Sequence, residues 1–600
     1  MSNRQSNIIA FLLLVFMFLI ALFSMRGDSL TMDELAHLPA GYSYLTKKDM
    51  RLNPEHPPLV KDLSASLLLF LKDIKFPSEA KEWQKDINGQ WGFGNKFLFK
   101  IGNPADKIIF LGRLPMLLIL MLLGFYIFRW TREVWGNKAG LLALFFFSFS
   151  PTFIAHGRLV TTDVGAATAF FISTYYFVKF LKDSSKKNLV LAGIVFGLAQ
   201  LTKFSAILLF PIFAILLLFF AISKANSKKE FLKILGKYLL YSIIIILIAY
   251  FLIWLVYLFH TWNYPAEKQA GDTKFILSSF GSRKLANLTT WMADKPLLRP
   301  IAQYLLGVLM VIQRAVGGNT TYFLGEVSAA GWKIYFPTVY LIKQPLAFIL
   351  LLLIAILYSA WRIKKPFWQN TKERFLAWLK SHFEEFTMLT AIAVYWAFSL
   401  KSNLNIGVRH LLPVFPFTFV LVAKTTVQWI KPPLLNLKRT FLAILLLWEA
   451  VSVLAVYPHF IAYFNELVGG PSKGYIYVVD SNLDWGQDLK RLAKWVEKNN
   501  IDKIYVDYFG GADTRYYLKD KYRPWQGTNN PEKLPKNSWL AVSATPLQGG
   551  RGIPAPHFDQ PSGFYLWLNK YNPVTVIGHS IFVYHISPAE EKNRTEIRKW

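Results

Sequence analysis

The chain contains no cysteine in its 600 residues. No disulfide can brace a segment outside the cytoplasm, no thiolate can hold a metal, and no cysteine can act as a nucleophile. Any region outside a membrane is then expected to rest on its own apolar core. Acidic residues are also scarce: 37 Asp and Glu stand against 67 Lys and Arg, a formal net charge of +30. In a soluble protein that excess would point to nucleic acid, but its placement along this chain excludes that partner. Charged residues of both signs make up only 17% of the chain, while 53% is hydrophobic. No internal repeat is visible, which weighs against a secondary transporter built on inverted repeats.

What the chain does have is a series of long apolar runs. They fall near residues 7–25, 107–128, 139–155, 164–181, 189–202, 204–222, 238–259, 337–360, 386–400, 411–427 and 440–457. Each is about the length needed to cross a hydrocarbon core of roughly 30 Å. The expected fold is a polytopic α-helical membrane protein with about eleven transmembrane helices. No small-residue cleavage site follows the first run, so it reads as a retained helix and not a removed signal peptide. Lys and Arg crowd alternate loops: Arg129, Arg132 and Lys138; Lys182, Lys186 and Lys187; Lys224 to Lys237; Arg362, Lys364, Lys365, Lys372 and Arg374; Lys431, Lys438 and Arg439. That pattern places these loops in the cytoplasm of an inner (cell) membrane protein, with the N-terminus cytoplasmic and the C-terminal tail outside. Attraction to anionic lipid headgroups is a sufficient use for the charge.

Two long external loops follow from this topology, residues 26–106 and roughly 260–336. Leu59–Lys72 and Tyr304–Val316 are apolar but short, and read as interfacial or re-entrant helices roofing the span ends. The transmembrane domain is expected over 1–457 and an extracytoplasmic soluble α/β domain over 458–600. In that tail, 475–480 and 503–509 read as strands flanking a helix at 487–498, a βαβ unit, with further strands near 538–544 and 574–586.

Polar clusters recur on the external side. Asp33 and Glu34, with His37, follow the first run and have no Lys or Arg beside them in sequence. Such a pair reads as a site waiting for a cation, a proton or a hydroxyl. Asn53-Pro54-Glu55-His56-Pro57-Pro58 presents His56 on a turn stiffened by proline. His156-Gly157-Arg158 leads to Thr162-Asp163. Lys343 precedes a span, and Asn403 to Pro413 carries Arg409 and His410. Each has an ordinary reading: span anchors in general, a helix N-cap for Asp163, a satisfied turn residue for His56 and terminus solvation for Arg409. Their recurrence on one side is what those readings do not explain.

The ordered set resembles membrane glycosyltransferases of the GT-C fold, in the branch of protein O-mannosyltransferases and bacterial lipid A aminoarabinose transferases. Asp33-Glu34 is similar to that fold's acidic motif. His56-Pro57-Pro58-Leu59 is similar to a first-loop turn that often reads Lys-Pro-Pro-Leu. Thr162-Asp163 and Arg409-His410-Leu411-Leu412-Pro413 also have counterparts, so the resemblance covers roughly residues 1–430. Asp480-Ser481-Asn482-Leu483-Asp484-Trp485-Gly486-Gln487-Asp488 looks like a motif of uncharacterised bacterial members. The resemblance implies a polyprenyl-phosphate-linked sugar donor, a lipid, glycan or protein acceptor, and transfer with inversion. It implies Asp33 as base, Arg409 as the main phosphate contact with His56, Lys343, Arg158 and His410 as lesser ones, and Glu34 and Asp163 positioning the acceptor or holding a divalent cation. No spacing demands a metal, and no cofactor is assigned. His56 in place of Lys would make phosphate contact pH-sensitive. The tail shows neither the trefoil repeat of eukaryotic mannosyltransferases nor the Trp-Trp-Asp signature of oligosaccharyltransferases. The rival reading is a transporter or flippase for lipid-linked sugars, disfavoured because the central thirds of the apolar runs are nearly free of charge.

Overall fold

The structure is a computed structural model that describes residues 1–363 and 369–587. Lys364 and Lys365 of one basic loop, and residues 588–600 of the tail, lie outside the described residues.

Among the described residues, seven helices are long and apolar enough to cross a membrane: Asn3–Gly27, Ala105–Trp135, Thr162–Lys182, Phe204–Lys224, Lys228–His260, Arg299–Gly317 and Val408–Trp429. The helices Tyr335–Lys343 and Leu346–Trp361 meet at 115° and bring the number to eight if they count as one broken span. Gln344-Pro345 lies at the break, where proline cannot continue a helix. The eleven-span expectation is matched only in this coarser form. Asn137–Ser148, Lys186–Gln200 and Phe383–Ser399 are helices of 12, 15 and 17 residues. Leu435–Leu454 is long enough, with 20 residues, but carries Lys438, Arg439 and Glu449. The apolar run Tyr304–Val316, expected to lie at the interface, sits inside Arg299–Gly317. Pro300 opens that helix a turn earlier than the apolar run begins.

Helix starts follow the local chemistry. Ser2 and Gln5 form a reciprocal cap on Asn3–Ser24, each side chain accepting from the other's backbone N–H. Ser227 accepts from the Glu230 N–H at the start of Lys228–His260.

The tail forms a five-stranded sheet in the order 522–524, 504–507, 538–543, 581–586, 575–577. The first three strands run parallel and the last two antiparallel to their neighbours. The expected strand at 475–480 is absent. Gly474–Ile476 and Asp480–Asn482 are single 3-10 turns, and only Val478 makes a bridge, to Phe323. The backbone of this segment is satisfied elsewhere: Gln548 donates to the Tyr475 carbonyl, Tyr322 to that of Ile476 and the Leu324 N–H to that of Tyr477. A ladder is then not needed to pair its polar groups.

The tail does not rest on a core of its own. One apolar cluster joins Leu38, Phe93 and Phe97 of the first loop to Leu489, Leu492, Ile504 and Val583 of the tail. Another joins Phe147, Phe171 and Phe415 of the helical bundle to Trp485, Leu540 and Tyr565. The hairpin Thr321–Phe323 and Glu326–Ser328 in the second loop pairs in parallel with Ile553–Pro554. Both loops and the tail are thus knitted over one end of the bundle, and the charged residues of interest lie at that junction.

Candidate active site

Asp33 and Glu34 are adjacent in sequence but serve different sites. Asp33 occupies the cap position of the helix Glu34–Lys47 and its side chain is 21% exposed. Glu34 points inward and is fully buried. Arg113 donates to both its oxygens, Nε to Oε1 at 2.8 Å and Nη2 to Oε2 at 2.6 Å. The N–H of Val160 and the N–H and hydroxyl of Thr31 complete its shell. Burial alone would raise the Glu34 pKa, but Arg113 and these donors hold it below the ordinary value. The carboxylate pair expected to await a cation already has one on each member: Arg113 on Glu34 and Arg409 on Asp33.

Arg409 is the hub of the site. It lies in the 3-10 turn Val408–Val414 that leads into Phe415–Trp429. Its Nη1 donates to Asp33 Oδ2 at 2.7 Å and to Asp163 Oδ2 at 3.1 Å, and its Nε donates to Ser481 Oγ at 3.1 Å. The guanidinium stands 4.2 Å from the ring centroid of Trp485, a stacked cation–π contact. Asp163 sits in the first turn of Thr162–Lys182, where Thr161 takes the cap position, so Asp163 is not the N-cap. Its second oxygen accepts from Lys203 Nζ at 2.6 Å. Asp163 therefore clamps two cations at a fixed spacing and has both oxygens engaged. Arg409 Nη2 and two of the three Lys203 N–H groups have no hydrogen-bond partner among the described residues. They form an open cationic edge for an anion.

Three histidines border this edge with spare ring nitrogens. His56 Nδ1, His156 Nδ1 and His410 Nε2 are buried without a partner among the described residues. Lys61 stakes the His56 turn by donating to the His56 carbonyl at 2.8 Å and to Asn53 Oδ1 at 2.9 Å. The His56 ring meets His37 edge-on at 5.0 Å. Burial, with His37 and nearby lysines, pushes the His56 pKa well below its ordinary value. Burial thus favours the neutral imidazole of His56 over the charged form that a pH-sensitive phosphate contact needs.

Of the residues singled out in sequence, Asp33, Asp163, Arg409, His410 and His56 converge. Three do not. Glu34 belongs to the Arg113 pair. Arg158 is buried against Asp28 at 2.9 Å, in a network that continues through Arg491 to Asp488. Lys343 donates to the carbonyls of Ile461 and Asn482, at 2.8 and 2.6 Å, and fastens the tail to the bundle. Glu34 and Asp163 do not share a metal site, and no group of three or more His, Asp or Glu among the described residues could hold one.

Sequence reading missed Lys203 and Arg113. Lys203 is the one charge between the runs 189–202 and 204–222, and that isolation was the available signal. The tail motif is the larger addition. Ser481 donates to the Ile406 carbonyl while accepting from Arg409, Asn482 accepts from the Val408 N–H, and Trp485 underlies Arg409. A Cβ at Gly407 would stand 2.1 Å from Ser481 Oγ, so glycine permits this approach.

Residues 96–254 match the family model described as dolichyl-phosphate-mannose-protein mannosyltransferase. That stretch holds Arg113, Asp163 and Lys203 but not Asp33, Arg409 or the tail. The chain is similar to the protein O-mannosyltransferase Pmt1-Pmt2 complex of S. cerevisiae bound to the sugar donor, with a TM-score of 0.51 at 12% identity over 76% of this chain and 90% of that one. It is also similar to the archaeal oligosaccharyltransferase AglB from Archaeoglobus fulgidus, with a TM-score of 0.43 at 13% identity over 98% of this chain and 75% of that one. ArnT from Cupriavidus metallidurans bound to undecaprenyl phosphate aligns with a TM-score of 0.31 at 13% identity, over 99% of this chain and 100% of that one. A comparison with curated proteins finds no match. The fold is that of the GT-C membrane glycosyltransferases.

Proposed function

We propose that the chain is an integral-membrane glycosyltransferase that moves a sugar from a polyprenyl-phosphate donor to a hydroxyl or phosphate on a lipid, glycan or protein acceptor. The observation that carries this reading is Asp163 holding Lys203 and Arg409 side by side, next to the partly exposed carboxylate of Asp33. The donor phosphate lies on the free N–H groups of Arg409 and Lys203, with its lipid chain in the bilayer. Asp33 has one oxygen on Arg409 and the other open, and it takes the proton of the acceptor hydroxyl. The acceptor oxygen attacks the anomeric carbon, the bond from that carbon to the phosphate oxygen breaks, and the phosphate leaves with the electron pair. Arg409 and Lys203 stabilise the charge that gathers on it. In-line attack inverts the anomeric centre. With the basic loops read as cytoplasmic, this end of the bundle faces outward, and the described tail residues 458–587 cover the site there.

The test is mass spectrometry of envelope glycolipids and glycoproteins in cells carrying Asp33→Asn. This change keeps size and removes the base, so one sugar modification should fall by at least about 100-fold while the protein still inserts. An unchanged envelope with the variant present at normal level would sink the proposal.

A further inference from the structure

At the end of the helix Leu435–Leu454 opposite to Lys438 and Arg439 lies a cavity of about 370 Å³. Ser452, Tyr457, His459, Glu466, Ser472 and His579 line it, so helix and tail share its walls, and the Arg409–Lys203 edge contributes no residue. His459 Nδ1 is buried without a hydrogen-bond partner among the described residues, 3.8 Å from Asp488 Oδ1. Its ring meets that of His579 edge-on, with 5.7 Å between centroids. His579 has a left-handed backbone, with φ at +67°. The next residue fixes it: Ser580 Oγ donates to Asp488 Oδ2 at 2.7 Å, and the Ser580 N–H donates to the Ile577 carbonyl at 3.0 Å. Non-glycine outliers of this kind gather at functional sites. On the rim, Glu466 Oε1 accepts from Trp448 Nε1 at 3.1 Å, and Oε2 has no hydrogen-bond partner among the described residues. The Ser452 hydroxyl is tied to that of Tyr463 at 3.0 Å.

We propose that this cavity binds the uncharged sugar headgroup of a membrane lipid, at a site separate from the Arg409–Lys203 edge and independent of it. Sugar hydroxyls both donate and accept, and the wall offers partners of both kinds. A neutral imidazole has one donor and one acceptor nitrogen, serine can do either, and a carboxylate accepts. Burial pushes the His459 pKa down to about 4, with Arg491 and His579 adding to the fall, and burial also lowers that of His579. Both rings are therefore uncharged at neutral pH. Behind them Arg158 and Arg491 pair with Asp28 and Asp488, so Glu466 is the one charge among the lining residues. It repels a phosphate headgroup and accepts from a hydroxyl. The lipid part of the ligand follows from the helix itself. Leu447, Val451 and Leu454 form an exposed stripe at helical spacing that continues to the exposed Tyr457 at the cavity. An acyl chain can lie along that stripe with its headgroup in the cavity, where Tyr457 takes the place of an interfacial aromatic.

The experiment places the full chain in phosphatidylcholine nanodiscs with a monoglucosyl diacylglycerol carrying a diazirine on its glucose. Cross-linked peptides are mapped by mass spectrometry after illumination. Labelling should concentrate on residues 452–472 and around His579. It should exceed, by about fivefold or more, that from diazirine probes built on diacylglycerol or on phosphatidylglycerol, the worth of a few hydrogen bonds. His459→Leu removes one ring contact, and Glu466→Ala removes an acceptor from the exposed rim without touching the core. Each should cut the labelling about two- to tenfold, the range for one hydrogen bond. Undecaprenyl phosphate in excess should leave it unchanged. Equal labelling by the sugar-free or phosphatidylglycerol probe, or labelling unchanged in both variants, overturns the inference and leaves the donor site standing. Displacement by undecaprenyl phosphate would put the sugar at the donor edge and overturn the separate site. Equally effective competition by soluble methyl glucoside and by the unmodified glucosyl lipid would overturn the assignment to a lipid.

Discussion

At Arg409 one guanidinium serves two carboxylates, a hydroxyl and an indole, and its remaining edge is the only part free to meet a ligand. The residues that surround it were legible in sequence where a charge stood at the end of an apolar run, as Asp33, Asp163 and Arg409 do. Glu34 was misread because its partner Arg113 lies 79 residues away inside an apolar stretch. A buried bidentate pair of that kind is costly to break, so Glu34 is expected to support the fold and not the chemistry. Asp484 offers a separate test at this scale. Burial raises its pKa from the ordinary 3.8 to about 8, and its Oδ1 has no partner among the described residues while Oδ2 accepts from the Thr545 N–H. The folded chain therefore keeps a proton here that the unfolded chain has lost. The resulting stability is complete below pH 3.8 and is lost as pH rises through about 8. Asp484→Asn, which mimics the protonated acid, should flatten this fall and raise the midpoint of thermal unfolding at pH 8 by a few degrees. Thermal scans at several pH values and a fixed rate would show it. A midpoint lowered equally at all pH values would mean that the lost O–H matters more than the charge.

Among the elements, the helix Glu34–Lys47 positions Asp33 by packing on Leu59–Ala65. Gly41 makes that crossing close, since a Cβ there would stand 2.1 Å from the Lys61 carbonyl oxygen. Lys61 in turn holds the His56 turn. Gly41→Ala should push the two helices apart at a cost of about 1–3 kcal/mol, typical of overpacking. Retained stability in detergent with normal donor affinity would show that the crossing relaxes freely and does not set the site. The existence of most apolar helices was legible from hydropathy. Their lengths were less so, because breaks fall at local features: Pro151 opens a separate short helix Pro151–His156 after Asn137–Ser148, and Gln344-Pro345 bends another span. The segment 475–480 shows the limit of periodicity. Tyr-Ile-Tyr-Val-Val looks like a strand, but its carbonyls are claimed by Gln548, Tyr322 and Leu324.

For the whole molecule, the sequence conveys a membrane bundle with its chemistry at one end, but not the degree to which the tail is part of that end. Trp485 and Ser481 lie more than 70 residues beyond Arg409, and no local pattern announces their contact with it. Sidedness is open to a direct check, because the chain has no cysteine of its own. Asp520→Cys should react with an impermeant thiol reagent in intact cells and Asn370→Cys should not. The reverse pattern would turn the proposed site toward the cytoplasm and disconnect it from an outer-face acceptor. The central claim is that Asp163 presents Arg409 and Lys203 to a lipid phosphate. The measurement closest to it is an experimental structure of the full chain with undecaprenyl phosphate. The account predicts phosphate oxygens about 2.8 Å from Arg409 Nη2 and Lys203 Nζ, beside Trp485, with the prenyl chain running into the bilayer. Phosphate density away from both cations, with Arg409 and Lys203 still bound only to Asp33 and Asp163, would contradict it.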